Sequence, residues 1–133
     1  MVGRGPTSRA GLVLRADAVP VHLITAEGLA DVARTLRPGG IVAVHVSNRY
    51  YDLEPPVAAG LEAAGLDVVR RAYAPTPAEA EEGASISHWL VAGRPGESEE
   101  LLGALRASGW SSPRVGEPLT DDFADLLRYL RLR

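Results

Sequence analysis

The sequence contains no cysteine and no lysine. Without cysteine there is no disulfide scaffold, no thiol nucleophile and no thiolate metal site. Every positive charge is an arginine. The 14 of them stand against 17 acidic residues, and a formal net charge of -3 supplies no basic field for nucleic acid. No apolar run approaches the roughly 18 residues that span a bilayer, so no membrane segment is expected. The early arginines are not followed by a signal-peptide core, which points to a cytoplasmic protein. What remains is ordinary: 133 residues, 46% of them hydrophobic, suit one domain with a real core.

Residues 1–16 read as a flexible or poorly ordered lead-in, rich in Gly and Arg, with one short apolar patch at Leu12–Leu14. Thr25 opens the first convincing helix: its hydroxyl can cap the first turn, and Glu27 suits the positive end of the dipole. Leu29, Val32, Ala33 and Leu36 fall on one apolar face, and Pro38-Gly39-Gly40 ends the helix. The run Ile41 to Val46 is β-branched and apolar on both faces, as in a strand covered on two sides. Asp52 is expected to cap a second helix running to about Ala64, with Pro55 and Pro56 in its first turn. Leu66 to Tyr73 and Ile86 to Ala92 read as further strands, with an acidic, proline-bearing loop over residues 74–85 between them. That loop is a solvated connection or a substrate lid. Ser98 is expected to cap a helix ending at Gly109, and Thr120-Asp121-Asp122 one from Phe123 to about Leu132. Three firm strands make a thin sheet where about five or six are usual, so the chain looks like part of a larger α/β unit.

The phosphate-cradling patterns GxGxxG and GxxxxGK[ST] are both missing. In an open parallel sheet, ligands sit beyond the carboxyl ends of the strands. The polar residues there are His45, Ser47, Asn48 and Arg49, and Asp17 and His22 can share that rim. His45 inside an apolar strand is either a hydrogen-bonded core residue or a functional group at a strand exit. Asn48 is a turn former or a ligand contact. His88, beside Trp89, reads as structural. Histidines at 22, 45 and 88 have no metal-ligand spacing, so no metal site is assigned. A Ser47–His45–Asp17 set lacks the GxSxG elbow and does not indicate acyl transfer.

Four strings then stand out. They are Asp17-Ala-Val-Pro-Val-His-Leu-Ile-Thr25, Leu36-Arg-Pro-Gly-Gly-Ile-Val-Ala-Val-His-Val-Ser-Asn-Arg-Tyr50, Asp52-Leu-Glu-Pro55 and Leu119-Thr-Asp-Asp-Phe123. Together they resemble bacterial spermidine synthase-like proteins, from about residue 17 to the end of the chain. HVSNRYYDLEP is the most specific part; the helix and PGG turn occur in many methyltransferase-fold proteins. The resemblance implies the class I S-adenosylmethionine-dependent methyltransferase fold, and for residues 17–133 its C-terminal half. That half is an α/β, Rossmann-like piece, a small mixed sheet of 3–4 strands flanked by helices. The implied family activity is aminopropyl transfer from decarboxylated S-adenosylmethionine to putrescine.

The family's donor-binding glycine-rich turn and ribose-binding acid have no counterpart here, so no cofactor site is assigned to this chain. Asp17 matches the second of the family's two acidic positions, whereas the first falls at Leu12 or Leu14. The amine must lose a proton on attack, so that loss predicts a catalytically silent chain with no catalytic residue. The candidates for holding substrate are Asp17, His45, Ser47, Asn48 and Tyr73. His45 matches the place of a substrate-contacting glutamine. Tyr73, Pro75 and Thr76 resemble the tyrosine and Pro-Thr that close the polyamine site. Two other readings stand beside this one. The first is a non-enzymatic module that dimerises or docks on a separate N-terminal half. The second is part of an S-adenosylmethionine-dependent methyltransferase with another acceptor.

Overall fold

A computed structural model describes residues 11–15, 24–46, 52–74, 76–83 and 87–119. The elements run β1 (Gly11–Arg15), α1 (Ala26–Thr35), β2 (Ile41–His45), α2 (Glu54–Ala63), β3 (Asp67–Tyr73), α3 (Pro77–Glu81), β4 (Ser87–Gly93) and α4 (Glu99–Ala107). The chain is mixed α/β.

The sheet order is β1-β2-β4-β3. β1 and β2 are parallel, with Val13 opposite Ala43. β4 lies antiparallel to both β2 and β3, with Val91 opposite Ala43 and Val69. The first three strands therefore point the same way, and β4 alone runs back between two of them. β1 forms inside the stretch read as a lead-in, at the Leu12–Leu14 patch. A five-residue parallel strand carries little local signal, because its partner is thirty residues away.

Period-two alternation divides the core between two faces. On one face Val42, Val44, Val68, Leu90 and Ala92 pack under α1 and α2 with Leu29, Val32, Val57 and Leu61. On the other, Val69 and Val91 meet Leu102 of α4, with Ile41, Ala43, Leu105 and Trp110 alongside. The helices thus flank the sheet on both sides, but α4 rests on β3 and β4. Val13, on the α4 face of β1, is 41% exposed.

Both ends of α1 have an identifiable cause. The Thr25 hydroxyl accepts from the Gly28 amide at 3.2 Å, and Glu27 lies in the first turn of α1. The carboxyl end of α1 is closed by Arg94, whose guanidinium donates to the carbonyls of Leu36 at 3.0 Å and Ala33 at 2.7 Å. Gly60 lets α2 approach α1: a Cβ there would lie 2.7 Å from Leu29 Cδ1.

Three expectations are corrected. Asp52 does not cap α2; the cap residue is Leu53, without a side-chain bond, and Asp52 pairs instead with Arg114. Ser98 occupies the cap position of α4, but its hydroxyl donates back to the Arg94 carbonyl at 2.9 Å. Within the loop over 74–85 lies α3, opened by a capping box: Thr76 accepts from the Glu79 amide and Glu79 from the Thr76 amide. The helix expected from Phe123 lies outside the described residues.

Candidate functional site

β1, β2 and β3 all end at one edge of the sheet, and α2 starts there. Of the five substrate-holding candidates, the structure describes two at this edge. His45 ends β2, level with Trp89 and Arg71 across β4 and β3. Its ring meets Trp89 edge to face, with centroids 4.7 Å apart and planes at 63°. Tyr73 ends β3, two residues beyond that row and two strands away, so about 10 Å separates the two backbones across the sheet. Asp17, Ser47 and Asn48 follow the ends of β1 and β2 in sequence and lie outside the described residues.

Tyr73 is 41% exposed, and its hydroxyl donates to the Glu79 carboxylate. The bond to Glu79 raises the pKa of the phenol. The same bond, with the Thr76 amide, holds the Glu79 carboxyl below its ordinary value. Tyr73 is thereby tied to α3.

Sequence reasoning missed the densest polar cluster among the described residues, which lies at the same edge but on the α1/α2 face. Glu54, the first residue of α2, has a side chain with no exposure at all. His88 Nε2 stands 2.6 Å from Oε1. Because an ionised carboxylate only accepts, that ring nitrogen carries the proton. Arg70 Nε donates to both oxygens at 3.2 and 3.1 Å. The Arg114 amide donates to Oε2 at 2.7 Å and its guanidinium to Oε1 at 3.2 Å. Arg114 also grips Asp52 with two bonds, of 2.7 and 3.0 Å.

Burial by itself pushes the Glu54 carboxyl up. The bonds from His88, Arg114 and Arg70 outweigh it and bring the pKa down from 4.5 to about 2. The positive end of α2 acts in the same direction. A carboxylate held this firmly as the anion is a poor proton acceptor at neutral pH. Glu54 is a structural tie between α2, two strands and the segment after α4, and no general base. His88, buried and bonded to Glu54, shares that structural role.

Its partners lie 16, 34 and 60 residues away, so no window of sequence contains the cluster. The one local hint is a glutamate in a helical first turn, directly before two prolines.

A shallow groove lined by Ala30, Ala33, Arg34, Ala64 and Arg94 lies at the opposite end of the sheet. Its guanidinium groups are engaged: Arg94 with the end of α1 and Arg34 with Asp31. No helix among the described residues is long and apolar enough to cross a membrane. Comparison with family models, with curated proteins and with solved structures returns no match to this chain.

Proposed function

We propose that this chain is the acceptor-side portion of a spermidine synthase-like domain, built on the C-terminal half of a class I methyltransferase fold. Its family chemistry is aminopropyl transfer from decarboxylated S-adenosylmethionine to putrescine. The observation that carries the reading is the sheet itself. A parallel β1-α1-β2 unit is followed by an antiparallel pair, and no described residue pairs with the outer edge of β1. An open parallel edge is where further parallel strands of a doubly wound sheet would add. Beside it Val13 is left 41% exposed on a face that α4 does not reach.

The acceptor edge is in keeping with this. His45 and Tyr73 stand at the carboxyl ends of their strands, where ligands of open α/β sheets bind. In this reading His45 supplies a hydrogen bond to the acceptor, and Tyr73 borders it beside the Glu79 carboxylate. Asp17, Ser47 and Asn48 follow the neighbouring strand ends in sequence and are proposed to complete the same rim.

The proposed chemistry displaces a sulfonium-bound carbon by an amine, and depends on orienting both reactants and on carboxylates that hold the amine. The donor-binding strand and turn have no counterpart in the sequence, and Glu54 is locked as a structural anion. The chain alone is therefore expected to be silent.

The test is an aminopropyltransferase assay with decarboxylated S-adenosylmethionine and putrescine. It is run on the purified chain and on the chain mixed with the separately produced N-terminal half of a spermidine synthase-like homologue. No turnover alone and spermidine formation in the mixture support the reading. Turnover by the chain alone contradicts it. A mixture that forms a stable complex without product favours a docking module without chemistry, to which the open β1 edge is equally suited.

A further inference from the structure

Residues 111–119 form an extended strap after α4, crossing the amino ends of α2 and α1. Ser111 exchanges two backbone bonds with Arg70, of 2.8 and 3.0 Å, on the outer side of β3. At the far end the Leu119 carbonyl accepts from the Ala26 amide at 2.7 Å, and the Leu119 side chain is buried. Between these anchors the strap lies mostly open to solvent. Ser112, Arg114, Val115, Gly116 and Glu117 are exposed, and Val115 leaves half of its surface to solvent. This middle stretch is held by the Gly116 amide on the Pro55 carbonyl at 3.0 Å and by the grip of Arg114 on Asp52 and Glu54, and Glu117 is engaged as well.

Segments with few buried apolar contacts open locally without global unfolding. Here the opening carries a specific consequence, because the strap covers a carboxylate that is otherwise sealed. With Arg114 lifted away, Glu54 keeps His88 and Arg70 but loses the Arg114 amide and guanidinium, and its outer side meets water.

We infer that residues 112–118 are a hinged strap, latched by Arg114 on Asp52 and Glu54, whose release uncovers the Glu54–His88 pair at the carboxyl edge of the sheet. The Asp52 half of the latch is partly exposed and so is weakened by salt. The inference rests on the geometry of the strap and does not depend on the aminopropyl-transfer reading.

Amide hydrogen exchange at residue resolution tests it. In the wild-type chain the Arg114 and Gly116 amides are expected to exchange through an opening that is insensitive to denaturant and accelerated by salt. The Val44 and Ala92 amides are expected to exchange only through global unfolding. Asp52→Asn removes the exposed half of the latch, and should speed exchange at Arg114 and Gly116 about two- to fivefold, leaving Val44 and Ala92 unchanged. Arg114→Gln should give a larger acceleration confined to the same amides. If Arg114→Gln does not fold, the Asp52→Asn comparison still decides. Equal exchange rates at Arg114, Gly116, Val44 and Ala92 in the wild type, or no acceleration in Asp52→Asn, would overturn the inference.

Discussion

Glu54 ties the stability of this chain to acid. Its carboxyl titrates near 2 in the folded state against an ordinary 4.5. A carboxyl whose folded pKa is lowered contributes stability that is fully present above the unfolded value and disappears as pH falls towards the folded one. Denaturant midpoints should therefore hold steady from pH 7 to about 5 and decline towards pH 2, the Glu54 share being on the order of 3 kcal/mol. In Glu54→Gln most of that decline should vanish. At neutral pH the same variant should cost about 3 to 5 kcal/mol, because it leaves Arg70 and Arg114 gathered around a neutral amide. Urea titrations of both chains across this pH range check the pair of statements, and a Glu54→Gln chain as stable as wild type at pH 7 would refute them. Asp52→Asn, by contrast, touches a partly exposed pair and should cost less than about 1 kcal/mol.

At the scale of elements, the positions that matter are those where sequence chemistry meets a neighbour. Thr25→Ala removes the hydroxyl that receives the Gly28 amide and should destabilise by about 1 kcal/mol, read from the thermal midpoint. Gly60→Ala introduces a methyl against Leu29, a fully buried side chain with no free direction to yield. It should cost about 1 to 3 kcal/mol despite the better helix propensity of alanine. α1, β2, β3, β4 and α4 were legible because their signals are local: a hydroxyl cap, an apolar stripe, a β-branched run, a closing glycine. α3 was read as loop: its signals, Thr76-Pro77 and the glutamate at 79, are present, but the acidic, proline-bearing composition masked its capping box. β1 and the Glu54 cluster were not legible, because a parallel partner and three long-range donors leave no trace in any short window. His45 and Tyr73 could be placed at strand ends from sequence. That Tyr73 would be engaged by Glu79 depends on α3, and went unseen with it.

For the whole molecule, the topology accounts for both the thinness of the sheet and the shape of its chemistry. One edge, β3, is covered in part by Ser111, whereas no described residue covers the edge at β1. The helices close one face well and the other only over β3 and β4. The carboxyl ends of β2 and β3 carry His45 and Tyr73, and the buried carboxylate nearby, Glu54, is committed to structure. The claim on which the proposed function depends is that these residues hold no donor site. Calorimetric titration of the purified chain with decarboxylated S-adenosylmethionine tests it most directly. The account predicts no saturable heat at ligand concentrations up to about 1 mM, the weak end of useful affinity. A single-site isotherm with micromolar Kd would contradict it.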